Sequence, residues 1–160
     1  MKVGFYDSPE TKWLTVQEIL ARGLDQRVSY AALTAPLHFQ PPTGPLITVP
    51  VAYITDFASV PRIFWSIFPP YDPYYGAPAI VHDYGYSTKG DFGLGLKLTR
   101  ADVDRMFLMA MILQDTECWR RNILYAGVRI GGASTWNKER PSHIISMMDI
   151  SRPGATLGVF

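Results

Sequence analysis

PAIVHDYGY at residues 78–86, the glycine-rich KGDFGLG at 89–95 and TRADVDRMFLMAMILQ at 99–114 follow one another, and the order helix, turn, helix read from them decides the fold. Pro78 suits a first helical position, where its missing N–H costs nothing, and the apolar-rich run behind it continues to Tyr86. Thr99 caps the second helix, with Asp102 three residues on at the capping-box position. Val103, Phe107, Ala110, Met111 and Gln114 share one face of it. A third helix is expected from Trp119 to Ile130, stopping at Gly131-Gly132, because glycine is the usual residue just past a helix end.

Upstream, the pattern changes. TDFASVPRIFWSIFPPYDPYYGAP, residues 55–78, carries five prolines and many aromatic rings, so it reads as a packed loop. Between Arg27 and Ile54, short apolar stretches are broken by proline and glycine, which predicts strands or an extended hairpin, with QPPTGP at 40–45 as a turn. Val16, Ile19, Leu20 and Leu24 fall on one stripe of a short helix, with Thr15 as its cap and Glu18 as capping-box partner. After residue 132 the chain has little periodicity and a Pro/Gly-rich, apolar finish.

The 160 residues, 48% hydrophobic, fit one domain. We place it at 1–132, with 133–160 as an extended tail or docking arm. The net charge of +1 leaves no basic surplus to displace counterions from a phosphate backbone, so nucleic acid is not an expected partner. Cys118 is the single cysteine, which rules out an internal disulfide. The start, MKVGFYDSPETKW, lacks the apolar stretch of a signal peptide, and no run of about 18 apolar residues spans a membrane. No export signal and no transmembrane segment are expected.

Three pieces invite a chemical reading: Thr55-Asp56-Phe57, His82-Asp83 and Asp104. Adjacent helical residues project about 100° apart, so His82 and Asp83 address different neighbours. With the two helices antiparallel, a carboxylate from the second can hydrogen-bond the His82 ring and orient it as a base. Asp104 and Asp102 both lie near that helix start. Asp83 then faces the Asp56 loop, where carboxylates and loop carbonyls suit a hard calcium ion. Zinc is disfavoured for want of cysteine and a second nearby histidine. Against these stand simpler readings: a core histidine bonded to backbone, an Asx turn at Asp56, and a first-turn acid at Asp104 paired with Arg100 or Arg105.

Taken together, TDFASVPR (55–62), VHDYGY (81–86), R-x(3)-D-x(2)-F (100–107) and VRIGG (128–132) resemble an uncharacterised family of short proteins common in phage genomes and prophages, over residues 45–132. More distantly, they are similar to the secreted calcium-dependent phospholipases of the A-two type, whose signature is H-D-[FY]-G-Y on a helix. That resemblance implies His82 as general base on water and Asp104 as its orienting carboxylate. It also implies Asp56, the carbonyl of Phe57 and Asp83 as calcium ligands. The cysteine those enzymes carry three residues before the histidine is Ala79 here, so their covalent scaffold is missing.

The expected fold is therefore α+β: a two-helix antiparallel core resembling the phospholipase pair, with an N-terminal hairpin region, a third helix and long Pro/aromatic loops. The expected function is a phage-encoded, virion-associated protein with a calcium-dependent phospholipid ester hydrolase site. The alternative is a non-catalytic tail or baseplate component that keeps the helices as a scaffold. Expected partners are other virion proteins, through the tail, and a phospholipid surface met by Phe64, Trp65, Ile67 and Phe68. The expected location is the virion, or the host cytoplasm before assembly.

Overall fold

The structure, a computed structural model, describes residues 2–56, 72–95 and 97–137. Phe57, the apolar residues Phe64, Trp65, Ile67 and Phe68, and tail positions 138–160 lie outside the described residues. Strands β1 (Gly4–Phe5) and β2 (Thr11–Trp13) come first, then helix α1 (Val16–Ala21). Strands β3 (Ala31–Leu33), β4 (Leu37–Gln40), β5 (Ile47–Val49) and β6 (Ile54–Thr55) follow, and then helices α2 (Gly76–Ser87), α3 (Arg100–Leu113) and α4 (Cys118–Asn137). The class is α+β.

Two small antiparallel sheets result, ordered β1-β4-β5 and β2-β3-β6. QPPTGP turns β4 into β5, pairing Phe39 with Ile47, and the Gln40 amide braces the turn by donating to the carbonyls of Pro41 and Gly44 at 3.0 Å each. Burial alternates in β3 and β5, so Ala31, Leu33, Ile47 and Val49 point inward. These residues join Leu37, Phe39, Tyr53 and the α2–α3 residues Ile80, Val81 and Met106 in one apolar cluster. A second cluster seals α4 onto the helix pair through Phe107, Met111, Leu124 and Val128. Helix α2 is central, and every residue in it except Tyr84 is buried.

Both capping boxes form as the sequence predicts, Thr15 with Glu18 and Thr99 with Asp102. Three boundaries differ. Helix α1 ends at Ala21, because Gly23 adopts a left-handed φ of +64° that takes the chain out of the helix. Helix α2 starts at Gly76, so Pro78 is its third residue, still within the turn whose N–H groups lack helical partners. Helix α4 does not stop at Gly131-Gly132 but runs on to Asn137, so residues 133–137 are helical and not extended tail.

Gly132 serves packing. A β-carbon there would sit 2.2 Å from the Tyr86 hydroxyl, so only glycine lets α4 approach α2 this closely. Gly90 plays the turn role between α2 and α3. Its φ is +78°, and a β-carbon would fall 2.0 Å from the Leu98 carbonyl oxygen.

Candidate functional site

Five consecutive residues of α2, His82 to Tyr86, reach different partners because each helical step turns the side chain by about 100°. His82 faces α3, where its Nε2 lies 3.0 Å from Asp104 Oδ1. Asp83 faces β6 and accepts the Thr55 hydroxyl at 2.7 Å. Tyr84 packs edge-on against Tyr53, with centroids 5.3 Å apart. Gly85 lets α3 come close: a β-carbon there would meet Val103 at 2.7 Å and Phe92 at 2.9 Å. Tyr86 donates its hydroxyl to Asp104 at 2.7 Å.

Asp104 is 0% exposed and is the hub of the site. Arg129 of α4 donates to its Oδ2 at 2.7 Å, and Arg100, one turn earlier on α3, lies at 3.4 Å. Burial pushes the Asp104 carboxyl up, but hydrogen bonds from His82, Tyr86 and Arg129 outweigh it and hold the group below its ordinary value. Asp104 is therefore an anion, which can only accept. It follows that His82 Nε2 carries a proton and donates. In the neutral ring the lone pair then lies on Nδ1.

His82 is 3% exposed, and its Nδ1 is buried with no hydrogen-bond partner among the described residues. The nearest carboxylate oxygen, Asp83 Oδ1, is 4.0 Å away, too far for a hydrogen bond. The Tyr86 and Phe107 rings pack on the imidazole at centroid distances of 4.3 and 4.8 Å and fix its plane. This arrangement orients a ring, selects a tautomer and leaves a basic nitrogen without a donor among the described residues.

Of the two carboxylates open in the sequence, Asp104 is the one at His82. Asp102 caps α3 and is bonded by Arg105; hydrogen bonds from Thr99 first, then Arg105, hold its carboxyl down at about 2. Asp56 directly follows Thr55, so the Thr55–Asp83 bond brings its backbone beside Asp83. Phe57 lies outside the described residues. Among the described residues, no cluster of three or more His, Cys, Asp or Glu side chains is arranged to hold a metal ion.

Tyr86, Arg129 and Thr55 were not foreseen as members of the site. Tyr86 lies one helical turn after His82, a spacing that would have shown it on the same face. Thr55 sits in the quoted motif but acts through its hydroxyl on Asp83. Arg129 comes from a different helix, 25 positions from Asp104, and no local spacing signals it.

The chain belongs to the family described as "Protein of unknown function (DUF1353)", which matches residues 31–128. That span contains Thr55, His82, Asp83, Tyr86 and Asp104, and Arg129 lies just past it. The chain is also similar to the uncharacterized protein y4jT of Sinorhizobium fredii, at 30% identity over 108 residues. The match covers 67% of this chain but only 30% of that relative's length. No solved structure matches.

Proposed function

We propose that this member of the DUF1353 family is a phospholipase-like carboxylic ester hydrolase whose general base is His82 Nδ1. The observation that carries the reading is the asymmetry of the ring, with Nε2 fixed on an anionic Asp104 and Nδ1 buried without a donor among the described residues. A water seated at Nδ1 gives up its proton to that nitrogen as its oxygen attacks the acyl carbon. The proton passes to the departing alkoxide when the tetrahedral intermediate collapses. Asp104 stabilises the imidazolium formed in between, and Arg129 and Tyr86 keep Asp104 ionised and in place. The products are a free fatty acid and a lysophospholipid.

Asp83 and Asp56 are the residues that would hold calcium, and the ion's chemistry there would be to polarise the ester carbonyl. The described side chains do not complete the roughly six to eight oxygens such an ion takes, so none of the steps above passes through it. Among the described residues no helix is long and apolar enough to cross a membrane.

One observation favours a second reading. With His82 and Asp104 both buried and several donors converging on one carboxylate, the cluster also serves as a pin between three helices. On that reading the chain is a non-catalytic component of a phage tail or baseplate, bound to other virion proteins.

The test is fatty-acid release from phosphatidylglycerol vesicles by the purified chain, with calcium or with chelator. Wild type should release fatty acid, and His82→Gln should lower the rate by about 100-fold or more. Loss of release on chelation would support the calcium role of Asp56 and Asp83. Absence of release in both conditions would overturn the hydrolase and favour the pin.

A further inference from the structure

We infer that a cavity on the opposite side of α3, away from His82, binds a medium-chain alkyl carboxylate. The cavity lies between the β4–β5 turn, the residues after α2 and the face of α3 that carries Asp102, Arg105, Met106 and Met109. Asp102 and Asp104 are two positions apart, roughly 200° around the helix, so this face is separate from the one that meets the histidine.

Three features select the ligand. The volume is about 310 Å³, at the small end of ligand sites. At about 30 Å³ for each water-sized group, that holds a chain of roughly ten carbons. The walls are apolar: Ile47 and Met106 are buried beneath it, Phe92 and Leu98 flank it, and Met109 and Leu94 stand half-exposed at the mouth. Methionine side chains adapt to an alkyl chain without a fixed shape.

The polar end is set by the rim. The Arg105 side chain is 64% exposed, and it is bonded to Asp102 on one side. A guanidinium has five N–H donors in a planar fork, so a second carboxylate can be accepted on the outer edge. Asp102 does not serve a cationic head equally well. Its Oδ2 already accepts the Thr99 N–H and hydroxyl at 3.0 and 2.5 Å, and its Oδ1 takes Arg105. The wall formed by the β4–β5 turn is preset, because Gln40 ties the carbonyls of Pro41 and Gly44 together. The site is thus built before a ligand arrives.

Calorimetric titration of the full chain with decanoate, decanol and decyltrimethylammonium, each below its aggregation concentration, tests this inference. Decanoate should bind, decanol should bind about tenfold or more weakly, and the cation weaker still. Arg105→Gln should remove the advantage of decanoate over decanol while leaving decanol unchanged. Met109→Glu, a change at a half-exposed position, should abolish binding of both. No decanoate binding, or decanoate binding that neither variant alters, would overturn the proposal. His82→Gln should leave decanoate affinity unchanged; a loss there would place the ligand at the histidine and overturn the separate site.

Discussion

Asp104 has two oxygens, and His82, Tyr86 and Arg129 all donate to them within 3.0 Å. Removing the carboxylate strands the buried His82 and Tyr86 donors on α2 and unpairs the partly exposed Arg129 on α4. Asp104→Ala should therefore cost about 3 kcal/mol or more, read as the shift in a urea unfolding curve. Tyr86→Phe removes one neutral donor and should cost about 1 kcal/mol by the same measurement. The acid limb follows from the lowered Asp104 pKa. A carboxyl whose folded value lies below its unfolded value, about 4, contributes stability that is complete above that value. It is lost as pH falls through the folded value. Unfolding free energy should thus drop below about pH 4 in wild type, and less steeply in Asp104→Asn. Asp102 adds to the same limb, but it is exposed, so high salt should erode its share and spare that of Asp104.

At the scale of elements, the adjacent glycines Gly131 and Gly132 of α4 make opposite predictions. Gly131 faces open space, whereas a β-carbon at Gly132 would collide with the Tyr86 hydroxyl. Gly131→Ala should stabilise by about 0.5–1 kcal/mol through helix propensity. Gly132→Ala should destabilise by about 1–3 kcal/mol, because Tyr86 must leave Asp104, and thermal unfolding of both variants reads the difference. The same pair shows what a sequence can carry. A Gly-Gly after an apolar run is the ordinary mark of a helix end, and nothing local distinguishes it from a close helix contact. The capping boxes at Thr15 and Thr99 were legible because both partners lie within four residues. β1 and β2 were not: they are two and three residues long, and their pairing with β4 and β3 bridges about 20 to 35 positions of chain.

At the scale of the molecule, α2 contributes to both apolar clusters, meeting the sheets and α3 in one and α3 and α4 in the other. Trp136 adds to that packing, since its ring meets Tyr86 edge-on at 5.1 Å and Lys89 donates to its carbonyl. A chain cut after Gly132 should unfold about 1–3 kcal/mol more easily than one cut after Asn137. His82, Asp83 and Asp104 could be singled out from residue order, because their types and spacing are local. The joining of three helices at one carboxylate could not, since Arg129 reaches it only through the tertiary fold. The central claim is that Asp104 holds the His82 proton on Nε2 and leaves the lone pair on Nδ1, and nitrogen-15 NMR of the histidine-labelled chain measures it directly. His38 is an internal contrast, because its Nδ1 lies 2.6 Å from Asp7. In its neutral form, His82 should carry its proton on Nε2, with Nδ1 unprotonated. A neutral His82 with the proton on Nδ1 would contradict the account.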